Sequence, residues 1–153
     1  MKNLLVLILL CVSVQSFSQD DEYSNINWLT DLEEAKEESA TSNKPILIYF
    51  TGSDWCPPCK MLKSDFFNSE AFEKKSENFV LLMVDMPRRQ DIITKEQRVK
   101  NKKVVNIYNK KGSYPNLVGI NAKGKVLGEL SGYTFLRETD RHFEFIDAII
   151  QKN

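Results

Sequence analysis

Histidine, cysteine and net charge are all scarce in this sequence. Among its 153 residues are one histidine and three cysteines, and 21 basic residues balance 21 acidic ones. A structural zinc ion takes four protein ligands, usually from two cysteine pairs or from one pair with histidines. Only Cys11 and His142 could join the closely spaced Cys56 and Cys59, so we expect no bound metal and no cofactor. The balanced charge, without interleaved basic and aromatic residues, gives no indication of nucleic-acid binding.

The N-terminal apolar stretch lacks the length needed to span a bilayer. Residues 4–14 are too few for a transmembrane helix and follow the basic Lys2, which is typical of a signal peptide. Small residues at the two positions that a signal peptidase reads predict cleavage before Gln19. A lipidated Cys11 is the alternative, but Leu10 stands where a small residue is expected.

These features divide the chain into a signal peptide at 1–18, a flexible lead-in at 19–27 and a folded domain at 28–153. The length suits one domain with a core of its own. After cleavage the only cysteines would be Cys56 and Cys59, and an exported protein with one such pair fits an oxidising compartment. We therefore expect a periplasmic or otherwise extracytoplasmic protein.

The run Trp-Cys-Pro-Pro-Cys-Lys at 55–60 follows an apolar stretch at 46–50 and precedes a segment with helical spacing. This order predicts a strand, a tight turn and a helix that begins at the cysteines. A helix N-terminus carries unpaired N–H groups and partial positive charge, which favour the thiolate of Cys56 and lower its pKa. Proline is tolerated at the first helical positions, and the two sulfurs are close enough to bond. We interpret the motif as a redox pair.

A purely structural disulfide is the alternative interpretation of Cys56 and Cys59. Such a bond would close a very short loop and would constrain the unfolded chain little. The predicted strand before the pair and the predicted helix after it favour a redox motif.

The remaining pattern predicts alternating helices and strands. Helices are expected at 28–42, from the cysteines to a break at 68–70 and on to 75, at 94–109 and at 134–151. Strands are expected at 46–51, 79–86, 116–120 and 125–131. Strands that alternate with helices imply a parallel pair, and the last two strands should form a hairpin. The expected fold class is α/β, with a central mixed sheet and helices on both faces.

Three features together resemble the thioredoxin superfamily: the 55–60 motif, the Tyr114-Pro115 pair before the predicted hairpin, and Gly132 at its end. Over residues 28–152 the chain is most similar to exported thioredoxin-like proteins, such as the thioredoxin-like domain of membrane disulfide-interchange reductases. The resemblance implies a thioredoxin-like fold and a thiol–disulfide oxidoreductase that acts on protein disulfides or dithiols. It also implies a membrane-bound redox partner, and we expect a monomer.

The resemblance gives roles to four residues of the motif. Cys56 would be the attacking thiol and Cys59 the resolving one. Trp55 would shield the pair and present a surface to the substrate, and Lys60 would help to tune the thiol pKa.

The resemblance also implies that Pro115 follows a cis peptide bond and faces the disulfide. The backbone of Tyr114 would then pair with an extended substrate segment, as an added strand would. From the residues alone, a trans proline that opens the strand fits equally well; the resemblance favours cis.

Two positions depart from the thioredoxin pattern. Cytoplasmic thioredoxins bury an aspartate in the strand before the motif as a proton acceptor for the resolving cysteine, and here Tyr49 stands closest to that position. A lysine of the neighbouring strand is replaced by an apolar residue near Leu81. Asp54 is near in sequence, but we expect the turn to expose it.

Alternative functions stay open at this stage. The chain could be a thioredoxin-fold binding module that keeps its disulfide as a staple, or a reductase dedicated to cytochrome c maturation. The two prolines between the cysteines do not fix the reduction potential; reduction of substrates is the favoured direction.

Charge is unevenly distributed along the chain. Residues 88–111 contain nine basic and two acidic residues, whereas residues 20–38 contain eight acidic and one basic. The basic segment leads into Tyr114 and could steer an acidic partner toward Cys56. Two solvated helix faces are the alternative interpretation.

Overall fold

The computed structural model describes residues 26–153. The predicted signal peptide and most of the predicted lead-in, residues 1–25, lie outside the described residues. Within 26–153, no helix combines the length and the apolar character needed to cross a membrane. Ile26, near the end of the predicted lead-in, already packs against the core.

Helices and strands alternate along the described chain, with one π-helical turn inside the first crossover. The helices are α1 (Leu32–Ser42), α2 (Pro57–Leu62), α3 (Glu70–Ser76), α4 (Lys95–Tyr108) and α5 (Asp140–Lys152), and the π-helical turn is Lys63–Phe67. The strands are β1 (Ile46–Thr51), β2 (Val80–Asp85), β3 (Asn116–Ile120) and β4 (Val126–Ser131).

The four strands form a mixed sheet in the order β2-β1-β3-β4. Strand β1 runs parallel to β2 and antiparallel to β3, and β3 and β4 form an antiparallel pair. The predicted parallel pair, the predicted late hairpin and the α/β fold class are therefore confirmed.

Both faces of β1 are covered, and its six residues are all buried. On one face, Leu47 and Tyr49 belong to an apolar cluster that includes residues of α2, the π-helical turn, α3 and α5. On the other face, Ile48 and Phe50 join a cluster with residues of α1 and α4. A strand buried on both faces carries a continuous apolar sequence, which is why the 46–51 run predicted this strand correctly.

Helix α1 begins at Leu32 rather than at residue 28. Asp31 is the cap, and its carboxylate accepts the N–H groups of Glu33 and Glu34. The preceding residues are extended because the N–H of Leu29 donates to the carbonyl of Leu81 at 2.9 Å, along the outer edge of β2.

Helix α5 begins at Asp140, so the predicted helical start at residue 134 is wrong. Residues 134–139 are not helical, and they include a turn at 135–136. Arg137 adopts a left-handed backbone with φ of 58°, which a right-handed helix does not accommodate.

The predicted break after the cysteines is confirmed, because Ser69 caps α3 and accepts the N–H of Phe72 at 3.1 Å. The π-helical turn before it was not predicted. In that turn the N–H of Asn68 donates to the carbonyl of Lys63 at 3.0 Å, five residues back.

Candidate functional site

Cys56 and Cys59 form a disulfide at the N-terminus of α2, with their Cα atoms 5.3 Å apart. Cys56 is the cap of this helix, and Pro57 and Pro58 occupy its first two positions. Those positions have no intrahelical acceptor for an N–H group, so the prolines cost the helix no hydrogen bond. The cysteines thus stand where the sequence predicted them.

The sulfur of Cys56 lies in the field of the helix N-terminus. It accepts the N–H of Cys59 at 3.3 Å, and the partial positive charge of the helix end acts on the same atom. Both cysteines are almost fully buried, with 2% of Cys56 and 1% of Cys59 exposed. The two cysteines therefore hardly differ in burial, and what distinguishes their sulfurs is the helix-end N–H and partial positive charge at Cys56.

Trp55 directly precedes Cys56, and contacts from several directions fix its side chain. Its indole N–H donates to the carbonyl of Met86 at 2.8 Å, and its ring meets that of Tyr114 edge-on with centroids 5.3 Å apart. The guanidinium of Arg88 lies over the indole at 4.8 Å, a cation–π contact. Beneath the ring, Gly52 leaves room where an added Cβ would stand 2.3 Å from the indole.

The bond between Tyr114 and Pro115 is cis, as the resemblance implied. The carbonyl of Pro115 accepts the N–H of Gly132 at 2.8 Å, which ties this turn to the end of β4. Among the described residues, neither backbone group of Tyr114 pairs with another backbone group. Burial, with a smaller effect from the negative charge of Asp85, raises the pKa of the Tyr114 hydroxyl. Tyr114 thus precedes β3 with an unpaired backbone, and its ring contacts that of Trp55, the residue before Cys56.

Tyr49 lies in β1, closest to the position where cytoplasmic thioredoxins bury an aspartate, and it contacts the redox pair. Its hydroxyl donates to the carbonyl of Cys59 at 3.0 Å. In the pairing of β1 with β2, Tyr49 lies opposite Met83, and Leu47 lies opposite Leu81. The neighbouring strand is therefore apolar here, as predicted. An open cleft of about 500 Å³ beside Cys59 is lined by Tyr49, Thr51, Ser53, Cys59, Lys60, Lys63, Ser64 and Asn68. Lys60 is exposed on α2 and borders this cleft.

The turn before the cysteines is held by two carboxylates. Asp54 is half-buried rather than exposed as expected, because its carboxylate accepts the backbone N–H groups of Arg89 at 2.9 Å and Arg88 at 3.0 Å. These hydrogen bonds, that of Arg89 first, lower the pKa of Asp54. Asp85 accepts the N–H and the hydroxyl of Ser53 at 2.9 and 2.6 Å.

A third group of contacts, which no pattern in the sequence indicated, joins the π-helical turn after α2 to the residues that follow β4. Asp65 accepts the hydroxyl of Tyr133 at 2.7 Å and two N–H groups of Arg137. The Arg137 guanidinium holds the pKa of the Asp65 carboxyl below its usual range. Burial, together with Asp65, raises the pKa of Tyr133 to about 12. These partners lie 68 and 72 residues from Asp65, too far for a local pattern to reveal them.

Curated relatives share this region of the chain. The chain is 34% identical over 108 residues to the disulfide bond reductase DsbH of Chlamydia pneumoniae, which covers 70% of this chain and 63% of that protein. It is 30% identical over 82 residues to the thiol:disulfide interchange protein DsbD of Campylobacter jejuni, which covers 54% of this chain and 13% of that protein. The chain thus spans less than two thirds of the length of these relatives.

Solved structures and a family model cover most of the described fold. A structure of the DsbH oxidoreductase superposes with a TM-score of 0.71 at 27% identity, covering 85% of this chain and 88% of that one. A thioredoxin from Thermus thermophilus gives a TM-score of 0.57 at 17% identity, which shows the fold alone; it covers 84% of this chain and 87% of that one. The model of the thioredoxin-like family matches residues 27–118. The chain belongs to the thioredoxin-like family.

Proposed function

We propose that this protein is an exported thiol–disulfide oxidoreductase that reduces disulfides of protein substrates through Cys56 and Cys59. The observation that carries the proposal is the position of the pair. Cys56 caps α2, and its sulfur accepts a helix-end N–H. Such a position stabilises a thiolate, which is the form that attacks disulfides.

The reaction proceeds in two exchanges. The Cys56 thiolate attacks one sulfur of a substrate disulfide, forms a mixed disulfide and releases the other substrate sulfur as a thiolate. Cys59 then loses its proton and attacks the sulfur of Cys56, which releases the second substrate thiol and leaves the Cys56–Cys59 disulfide. The substrate gains two electrons and this protein loses two. A reductant must return them before the next turnover.

Three observations support substrate binding beside the pair. Trp55 directly precedes Cys56 and its ring contacts that of Tyr114, Pro115 follows a cis bond, and the backbone of Tyr114 makes no hydrogen bond to another backbone group in the described chain, so it is available to an extended substrate segment. We assign substrate binding to these three residues. Lys60, exposed one position after Cys59, is assigned to tuning the thiols through its positive charge.

Direction, partner and location are part of the same proposal. The relatives named above, a disulfide bond reductase and a thiol:disulfide interchange protein, support reduction as the direction. A membrane-bound redox partner, which the resemblance to exported thioredoxin-like proteins implies, would return the electrons. The signal-peptide pattern supports an extracytoplasmic location. The protein would act as a monomer. A role dedicated to cytochrome c maturation would use the same chemistry.

A binding module with a structural disulfide is the second candidate. The near-complete burial of Cys56 and Cys59 favours it, since a buried disulfide is poorly accessible to a substrate.

Three variants separate the two candidates. Cys56→Ser and Cys59→Ser remove the disulfide equally, so a structural staple would suffer the same loss from either. In an oxidoreductase, Cys59→Ser accumulates mixed disulfides with substrate proteins, Cys56→Ser does not, and neither turns over. We expect this asymmetry in non-reducing electrophoresis of cell-envelope extract, with the double variant as control. Equal behaviour of the two single variants and no trapped species would favour the binding module.

A further inference from the structure

The open cleft beside Cys59 runs from an exposed rim to a buried floor, and it is called the Cys59 cleft below. The exposed residues that line it form the rim, and they are Ser53, Lys60, Ser64 and Asn68. The buried residues that line it form the floor, and they are Tyr49, Thr51 and Cys59. The cleft therefore brings solvent next to the resolving cysteine, although only 1% of that residue is exposed.

Lys63 brings a second lysine to the Cys59 cleft. It follows Cys59 by four residues, a spacing that puts both side chains on one helix face, and its backbone N–H donates to the carbonyl of Cys59. Lys63 is half-buried, whereas Lys60 is exposed, and solvent screens a partly buried charge less than an exposed one. The π-helical turn that begins at Lys63 ends directly before Asn68, so both of its ends border the cleft.

The second exchange of the proposed reaction needs an acceptor for the Cys59 proton. The thiol must become a thiolate before it attacks the sulfur of Cys56, and burial disfavours that charged form. Tyr49, on the floor of the cleft, is not a suitable acceptor. A phenol is neutral near physiological pH, and the hydroxyl of Tyr49 donates its proton to the carbonyl of Cys59. Tyr49 therefore does not replace the carboxylate of the cytoplasmic thioredoxins.

Among the described residues that line the Cys59 cleft, none is an aspartate, a glutamate or a histidine. Two carboxylates of the neighbouring turns have other partners: Asp54 accepts N–H groups of the loop after β2, and Asp65 accepts the hydroxyl and the guanidinium of residues after β4. Asp85 is linked to the cleft through Ser53, whose hydroxyl donates to it at 2.6 Å. A charged lysine has no lone pair with which to accept a proton. Solvent is therefore the acceptor that the cleft itself offers to Cys59.

We propose that Cys59 gives its proton to solvent in this cleft, and that the positive charge of Lys63 stabilises the thiolate that remains. The proton passes to water or hydroxide. The thiolate then attacks the sulfur of Cys56, the bond between the two cysteines forms, and the bond from Cys56 to the substrate breaks with its electron pair on the substrate sulfur. The inference rests on the proposed oxidoreductase function and adds a positioning residue to it, because Lys63 acts through Cys59 and not on the substrate.

The test follows one turnover of pre-reduced protein with the neutral disulfide dithiodipyridine by stopped-flow absorbance. Attack by Cys56 releases the first thiopyridone at a rate proportional to the reagent concentration, and attack by Cys59 releases the second at a rate independent of it. The rate of this second phase is measured across pH. Because loss of the positive charge disfavours the thiolate, Lys63→Gln should move the midpoint of its pH profile up by about half a pH unit. Below the midpoint the second phase should then be about threefold slower than in wild type.

Four further variants serve as controls. Lys63→Arg keeps the charge and should keep the wild-type profile, whereas Lys63→Met keeps the apolar stem and should behave like Lys63→Gln. Lys74→Gln removes the same charge from an exposed position on α3 that does not line the cleft, and it should leave both phases unchanged. Ser53→Ala cuts the link to Asp85 and should leave the second phase unchanged. In Lys63→Gln the first phase should change much less than the second, since Cys56 is not among the residues that line the cleft.

Two kinds of outcome would overturn the inference. An unchanged midpoint in Lys63→Gln and Lys63→Met, or a shifted midpoint in Lys63→Arg, excludes the role of the Lys63 charge. A second phase that slows in Ser53→Ala would show that the proton passes through Ser53 to Asp85 and not to solvent. Failure of the proposed function is recognised separately, because wild type would then show no first phase or would release one thiopyridone only.

Discussion

At the scale of single residues, the indole of Trp55 fills the space that a side chain at position 52 would need. A Cβ at position 52 would stand 2.3 Å from the indole, so Gly52→Ala forces Trp55 away from the carbonyl of Met86. We expect a loss of about 1–3 kcal/mol in the free energy of unfolding, the usual cost of overpacking. Urea denaturation measures it. In a Trp55→Ala background the same substitution should cost much less, and an undiminished cost would show that the indole is not the obstacle.

Cys56 and Cys59 should differ in reactivity once the disulfide is reduced. The helix N-terminus and the N–H of Cys59 stabilise negative charge on Cys56. We therefore expect iodoacetamide at mildly acidic pH to label Cys56 first, as read by mass spectrometry of the digested protein. Labelling that maps mainly to Cys59 would reverse the assignment of attacking and resolving thiols.

At the scale of elements, Asp65 joins the π-helical turn to Tyr133 and Arg137 in the loop after β4. Arg137 lowers the pKa of Asp65 in the folded protein, so this carboxylate stabilises the fold above the usual aspartate range. The contribution is lost as the pH falls through the lowered folded value. At neutral pH, Asp65→Asn should reduce the free energy of unfolding by about 1 kcal/mol, and the difference from wild type should shrink in acid.

A second aspartate–arginine pair provides the control for that experiment. Asp91 contacts Arg89 with both side chains about two-thirds exposed, and surface pairs of this kind add little stability. Asp91→Asn should leave the unfolding curve unchanged at neutral pH. If Asp65→Asn also leaves the unfolding curve unchanged, the contacts of Asp65 do not stabilise the loop after β4.

The elements that the sequence predicted best are those with local causes. Strand β1 is buried on both faces, and its first five residues are therefore apolar. Helix α2 begins directly after its cap Cys56, with Pro57 and Pro58 in its first two positions. The cis bond before Pro115 came from resemblance, since the residues alone fitted trans equally well. The contacts of Asp65 and the edge pairing of Leu29 join distant segments. No local periodicity encodes such contacts, which is why the starts of α1 and α5 were misplaced.

At the scale of the whole molecule, charge can guide a partner to the site. The basic residues of segment 88–111 fall into two groups, one beside Trp55 and one on α4 and directly after it. Arg88 lies over the indole of Trp55, whereas Lys102 and Lys103 are exposed on α4. If an acidic partner is steered to the site, the exchange rate should fall with salt, because the screening length shortens to about 8 Å at physiological ionic strength.

Two variants with equal changes in charge test this steering. Arg88→Gln with Arg89→Gln should flatten the dependence of the exchange rate on salt, while Lys102→Gln with Lys103→Gln should alter it much less. A rate that is independent of salt in wild type would leave the basic segment as a solvated surface.

The most direct test of the central claim is a redox titration of the Cys56–Cys59 pair in the whole protein against glutathione buffers, followed by alkylation and mass spectrometry. We predict a reversible two-electron transition with a potential near that of thioredoxin, about −270 mV, as suits a protein that reduces substrates. A potential close to −120 mV would indicate a disulfide donor instead. A pair that stays oxidised in every buffer, with a potential below about −300 mV as in structural disulfides, would contradict the assignment of a redox-active site.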